Sequence, residues 1–202
     1  MSAGYLTGNK ISKYLNTFLV KKHLVILSII LLIVSKNLAQ TNMRDNKMEK
    51  INLTSSSFES GDLIPPQYTC DGKNISPALS WDKPSDNIKR FAIIVEDPDS
   101  PGGTFVHWVV YNIPSNIKRL PDDITPIKNI PDEVLLGTNS FGHIGYGGPC
   151  PPSGTHRYIF KIYGLSNAVH LEAGAEKGEL MRAMQKYIIA EGELMGKYSR
   201  QR

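Results

Sequence analysis

The apolar positions of the chain fall into three regimes. From Leu24 to Val34 they form an unbroken run, headed by Lys21-Lys22 and followed by a polar stretch reaching Ala39-Gln40. From Ile51 onward they recur as short runs between clusters of Gly, Pro, Asn, Asp and Ser, the punctuation of a β-rich domain. The clearest strands are Phe91 to Glu96, Phe105 to Asn112 and His156 to Tyr163, rich in β-branched and aromatic residues and bounded by turn formers. Near the carboxy terminus the period changes. Leu180, Met184, Ile188 and Glu191/Leu194 fall at helical spacing with charged residues between them, which predicts one amphipathic helix whose start is bracketed by Gly174 and Gly178. Many strands, a terminal helix and no βαβ alternation predict a mostly β class, a β-sandwich, rather than a parallel doubly wound sheet.

Length and charge sharpen this division. The 202 residues, 41% hydrophobic and 21% charged, suffice for one domain with a full core and are thin for two. The formal charge of +4 suggests an anionic partner until it is located along the chain. Lys10, Lys13, Lys21, Lys22 and Lys36 precede any acidic residue, and the chain after Gln40 carries 18 basic against 19 acidic side chains, which removes the support for nucleic-acid binding. The basic start and the apolar run read as an export signal. Eleven residues rise about 16 Å, short of a hydrocarbon core of roughly 30 Å, so cleavage near Ala39 is expected rather than an integral membrane anchor. The expected organisation is a signal peptide over 1–39, a flexible lead-in over 40–50 and one domain over 51–202, in a periplasmic or secreted protein. Cys70 and Cys150 are the two cysteines; in an oxidising compartment they could bond, or stay reduced as small hydrophobes. Asn52 and Asn74 open N-x-S/T triplets, a loose pattern.

Two histidines stand out. Strict alternation puts His107 on a face with Phe105, Val109 and Tyr111, and His156 on a face with Tyr158, Phe160 and Ile162. A polar ring on an apolar face must be paired, solvated at a rim or used. Each lies near a rigid loop: Glu96 to Gly103, in which the Ser100–Pro101 bond is a cis candidate, and Gly145 to Gly154, which ends two residues before His156. Two histidines and a carboxylate also match a three-ligand metal site, but no H-x-x-x-H spacing accompanies them. Cys150 with His156, or with His143, would be a nucleophile and base pair, yet no G-x-S-x-G elbow or helix start accompanies it.

Three ordered motifs carry a resemblance: Cys70-Asp71-Gly72-Lys73-Asn74-Ile75-Ser76-Pro77-Ala78-Leu79-Ser80-Trp81; Asp97-Pro98-Asp99-Ser100-Pro101 running to His107-Trp108; and Gly148-Pro149-Cys150-Pro151-Pro152 running to His156-Arg157-Tyr158. The chain from about Ile51 to its end resembles the phosphatidylethanolamine-binding protein (PEBP) family, in particular its bacterial Raf-kinase-inhibitor-like branch. The terminal stretch Glu193 to Tyr198, expected as the end of the helix, adds to the likeness. The resemblance implies antiparallel Greek-key sheets and a small anion pocket lined by Asp97, His107, His156 and Tyr158. Pro98, Pro101, Pro151 and Pro152 would shape the walls, with Cys150 at the edge and Phe105 as an aromatic wall. It implies a non-catalytic protein without cofactor or metal that binds a phosphate-bearing small molecule or a phospholipid head group. Inhibition of a protein partner of protease or kinase type is the alternative, and a metal-dependent or thiol enzyme a further one. Imidazoles, the tyrosine hydroxyl and glycine amides would donate to phosphate, so affinity is expected to fall as pH rises through the histidine pKa values.

Overall fold

The computed structural model describes residues 21–36, 48–125 and 130–200. The chain divides into two compact units, Met1–Lys47 and Met48–Arg202. In the first, residues 21–36 form helix α1, whose apolar side chains from Leu24 to Val34 are exposed. Among the described residues no helix is long and apolar enough to cross a membrane. The expected cleavage point at Ala39 and most of the lead-in lie outside the described residues.

The second unit is built of β1 (Glu49–Lys50), β2 (Leu53–Ser55), β3 (Leu79–Trp81), β4 (Arg90–Asp97), β5 (Phe105–Pro114), β6 (Arg119–Leu120), β7 (Leu135–Thr138), β8 (Thr155–Leu165), β9 (Gly174–Glu176), helix α2 (Lys177–Met184) and β10 (Ile188–Ser199). Seven strands form the main sheet in the order β1-β10-β8-β4-β5-β7-β9, and β2-β3-β6 form a second one. Pairing is antiparallel except at the edges, where β1 runs parallel to β10 and β9 to β7.

β4 reads as a continuous apolar run because it is covered on both faces. Ile93 and Val95 join Phe160, Ile162 and Leu194 in a core shared with Leu53, Leu79, Trp81 and Leu120 of the smaller sheet. Ala92 and Ile94 face the other way, onto a second core closed by Leu180 and Met184 of α2. The helix begins with a capping box in which Glu179 accepts from the Glu176 backbone N–H at 2.9 Å. Glu96, on the same outer face, is buried between Lys161 of β8, at 2.9 Å, and Lys177, the first residue of α2.

The terminal helix is therefore shorter than its expected extent. It ends at Met184, a 3-10 turn covers Gln185–Tyr187, and Ile188–Ser199 is a strand. β10 pairs with β8 from Ile188 opposite Leu165 to Ser199 opposite Thr155. The reason lies in the spacing: Ala190, Leu194 and Tyr198 are buried four residues apart, and four is a multiple of the strand period as well as nearly one helical turn. The two glycines decide it. A Cβ on Gly192 would sit 2.1 Å from the Ile51 carbonyl oxygen and one on Gly196 2.5 Å from Ile64, close approaches made by extended chain in a layered sheet.

Candidate functional site

Asp97 ends β4 and pairs with Phe105 at the start of β5, so the loop 98–104 turns back across the end of the sheet. Its first acid is tied down locally, since Asp97 Oδ1 accepts from the Asp99 backbone N–H at 2.8 Å. Its second acid reaches across to β8: Asp99 accepts from Arg157 N at 2.9 Å, Nε at 2.9 Å and Nη2 at 2.6 Å. The Arg157 side-chain and backbone donors hold the Asp99 carboxyl at about 2. The Ser100–Pro101 bond is trans, contrary to the expectation. Gly103 N–H closes the turn onto the Ser100 carbonyl with Gly103 at φ 98°, so the glycine makes the reversal.

A β-bulge aims His107. Val95 pairs with Trp108 but Glu96 pairs with Val106, leaving His107 as the extra residue on β5. Strict alternation would put His107 beside Val109 and Tyr111, which belong to the outer core. The bulge instead turns it inward, where its ring meets Tyr158 edge-on at 5.1 Å between centroids and Phe105 at 5.2 Å. His156 follows the simple alternation, on one side of β8 with Tyr158 and Phe160. Its Nδ1–H donates to Asp97 Oδ2 at 2.7 Å.

Asp97, His107, His156 and Tyr158 are thus gathered at one end of the main sheet, 4, 2, 7 and 0% exposed. His107 Nδ1–H donates to the Gly147 carbonyl at 2.6 Å, and burial holds its imidazole below its ordinary value against the pull of that carbonyl and of Asp97. The ring is neutral at pH 7. Burial, and secondarily the Asp97 charge, push the Tyr158 hydroxyl above the usual phenol range. That hydroxyl feels Asp97 and the Cys150 backbone but has no hydrogen bond of sound geometry.

The remaining wall is the segment 139–152. Asn139 donates to the Gly145 carbonyl and accepts from the amides of Phe141 and His143, which presents Phe141 edge-on to both Phe105, at 4.7 Å, and His107, at 5.6 Å. Farther on, Cys150 is disulfide-bonded to Cys70. Around the bond, Cys70 N–H donates to the Pro149 carbonyl, Gly148 N–H to Asn74 Oδ1 and the Tyr146 hydroxyl to the Tyr68 carbonyl, at 3.1, 2.7 and 2.8 Å. With its sulfur bonded, Cys150 has no thiolate to act as a nucleophile.

The fold therefore brings together Asp97, Phe105, His107, His156 and Tyr158. Pro151 is buried beside the half-buried Cys150, whereas Pro98, Pro101 and Pro152 are exposed on their loops. Sequence reasoning passed over Phe141 and Asn139, and gave no site role to Asn74 or to the Asp99–Arg157 pair. The only local cue for the first two is the turn-like Asn139-Ser140-Phe141-Gly142, with nothing in it to point across the sheet to His107. Among the described residues no group of three His, Cys, Asp or Glu is arranged to hold a metal ion.

A mostly β protein of two sheets, with two histidines, a carboxylate and a tyrosine gathered at one sheet end, is the class these observations define. The phosphatidylethanolamine-binding protein family model matches residues 54–199, and the chain belongs to that family. It is 43% identical over 150 residues to a UPF0098 protein of Methanothermobacter thermautotrophicus, covering 74% of this chain and 99% of that one. It is 45% identical over 157 residues to a UPF0098 protein of Pyrococcus horikoshii, covering 75% and 79%. Among solved structures it resembles E. coli YbcL, described as a member of the mammalian PEBP family, with TM-score 0.70, 30% identity and coverage of 75% and 99%. It also resembles a PEBP homologue of Chlamydia trachomatis, with TM-score 0.69, 38% identity and coverage of 76% and 99%. At the level of the family this is a binding protein.

Proposed function

We propose that this chain is an exported, non-catalytic binding protein whose pocket between Asp97, His107, His156 and Tyr158 takes phosphate-bearing ligands, free or as phospholipid head groups. The observation that carries the reading is the Tyr158 hydroxyl: fully buried, held protonated and left without a partner beside two imidazoles and a carboxylate. A buried polar atom without a bond costs about 1–3 kcal/mol, a cost that a ligand oxygen at this spot would remove. The aromatic wall of Phe105 and Phe141 shields the pocket and strengthens each polar contact inside it. Export is supported by Lys21-Lys22 at the head of an apolar helix and by a disulfide suited to an oxidising compartment.

The test is an NMR titration of the protein with inorganic phosphate and O-phosphorylethanolamine, following the His107 and His156 ring resonances. Saturable shifts are expected, lost in His107→Ala and weakened in Tyr158→Phe, the second variant guarding against misfolding of the first. Unmoved rings at millimolar ligand in the folded protein would end the reading. Amino-terminal sequencing of protein recovered outside the cytoplasm tests export, with a start close to Gln40 expected.

A further inference from the structure

Helix α2 covers one part of the outer face of the main sheet. Its Leu180 and Met184 close over Ala92 and Ile94 of β4 and Val109 and Tyr111 of β5. Beyond it, the outward positions are half-buried or exposed: Lys161 and Tyr163 on β8, and Glu191, Glu193 and Met195 on β10. The register sets Tyr163 against Glu191 and Lys161 against Glu193. Alternation along β8 sends His156 and Tyr158 to the opposite face, so this surface is separate from the site at the sheet end.

Two stretches of chain meet the edge of β10 that faces away from β8, and they leave a gap between them. On one side β1 pairs with Ala190 and Glu191, and Ile51 N–H donates to the Glu191 carbonyl at 2.8 Å. Gly192 permits that approach, since a Cβ there would stand 2.1 Å from the Ile51 carbonyl oxygen. On the other side the turn at 59–62 docks, with Gly61 N–H on the Met195 carbonyl at 2.7 Å and Lys197 N–H on the Asp62 carbonyl at 2.8 Å. The result is an open groove of about 630 Å³ whose walls include Met48, Glu49, Ser60, Tyr163 and Met195.

The charge of this groove is one-sided. Lys161 gives its ammonium to Glu96 at 2.9 Å, although Glu193 is its cross-strand neighbour. Among the described residues Glu49, Glu191 and Glu193 form no ion pair, and the one other cation of the lining is Lys50. Outward residues two apart on a strand are about 6.6 Å from each other, so Glu191 and Glu193 are spread along the groove instead of converging. These acids are accordingly not grouped to hold a metal ion. Spread carboxylates beside an aromatic ring and two thioethers suit an alkyl chain with an ammonium at each end. Four methylenes separate two such nitrogens by about 6 Å, close to the spacing of the two glutamates. Burial holds the Tyr163 hydroxyl above its ordinary value, so the ring presents an uncharged phenol at pH 7.

We propose that this groove binds a linear aliphatic diamine, its ammonium groups on Glu191 and Glu193 and its methylenes against Tyr163, Met48 and Met195. The inference does not depend on the site at the sheet end, which takes ligands of the opposite charge on the other face of β8.

The test is calorimetric and NMR titration of the protein at pH 7 with diaminobutane, which carries an ammonium at each end of four methylenes, with butylamine, and with inorganic phosphate. The Tyr163 ring and the Gly192 amide report on the groove, and the His107 and His156 rings report on the sheet end. Diaminobutane is expected to give saturable shifts at Tyr163 and Gly192 and to bind at least about fivefold more tightly than butylamine, in line with one added ion pair. Its affinity is expected to fall at least about threefold between ~20 and ~200 mM salt, as the carboxylates are screened. Glu191→Gln and Glu193→Gln change exposed side chains, so both variants are expected to keep the urea midpoint of the parent and to bind diaminobutane about fivefold more weakly. Equal affinity for the two amines, or glutamine variants that both bind as the parent does, would overturn the proposal. Phosphate moving Tyr163 where diaminobutane does not would also overturn it, in favour of an anion at Lys50 and Lys161. So would unmoved resonances at about 10 mM diaminobutane, a concentration at which a site of millimolar affinity is mostly filled. Histidine rings that ignore phosphate would end the reading of the sheet end and leave this one standing.

Discussion

Replacing both Cys70 and Cys150 by serine opens a ring closed across 80 residues, about half of the folded unit. In the chain-entropy description, closing a loop of that length removes about 15 cal/mol/K from the unfolded ensemble, or about 4.5 kcal/mol at 25 °C. Little of this is expected to be offset in the native state. The bonds from Cys70 N–H to Pro149, from Gly148 N–H to Asn74 and from the Tyr146 hydroxyl to Tyr68 hold the same two segments together without the sulfur atoms. The double variant is therefore expected to fold, and to be less stable by about 4–5 kcal/mol, lowering Tm by roughly 10–18 °C for a domain of this size. Urea unfolding of the parent and the variant, each with and without a dithiol, measures it. The parent should fall to the level of the variant on reduction, and the variant should ignore the reductant. A loss below about 1 kcal/mol, or a parent indifferent to reduction, would refute the reasoning, because an unconstrained ring of this length cannot be so cheap.

Three further outcomes follow from particular contacts. Gly148→Ala places a Cβ 2.5 Å from the Tyr68 carbonyl oxygen and 2.6 Å from Asn74 Oδ1, so a loss of about 1–3 kcal/mol is expected in the urea midpoint; an unchanged midpoint would mean that this wall yields freely. His107 is held below its ordinary value, chiefly by burial, so the native state binds fewer protons than the unfolded chain and stability falls as pH drops below about 6.5. Unfolding at pH 7.5 and 5.5 should show a decline that shrinks in His107→Gln, and an equal decline in both would reject the assignment. Burial raises the Glu96 carboxyl, but the Lys161 and Lys177 hydrogen bonds outweigh it and hold the group below its ordinary range. Glu96→Gln should cost about 1–3 kcal/mol, with faster amide exchange in α2 as its local signature; stability within about 0.5 kcal/mol of the parent would show that these lysines do not anchor the helix.

The strands around the site were legible because their apolar runs are long and cleanly bounded: Phe91 to Glu96, Phe105 to Asn112 and His156 to Tyr163 lie within β4, β5 and β8. The terminal helix is present, but its extent past Met184 is not legible because a spacing of four fits both periods; Gly192 and Gly196 weaken its last turns in the sequence, and their contacts with Ile51 and Ile64 show why the segment is extended. The side of the sheet on which His107 lies could not be read from alternation, since a bulge is one extra residue in one strand and is visible only when the partner strand is in place. Phe141, Asn139 and the Asp99–Arg157 clamp were missed for the same kind of reason. Phe141 meets His107, and Asp99 holds Arg157 58 positions away, separations that local pattern does not encode, while Asn139 matters only through the Phe141 it positions.

The sequence alone settles what is set by neighbours along the chain: the apolar run from Leu24 to Val34, the β class, and the histidine, carboxylate and tyrosine motifs in their fixed order. Tertiary structure decides what depends on residues far apart. It closes Cys70 onto Cys150, turns His107 inward, spends the glycine amides on the protein's own carbonyls and leaves the Tyr158 hydroxyl alone. The physical reason is that periodicity and turn chemistry are local properties of the backbone, whereas which donors remain free is known only once every other group has taken its partner.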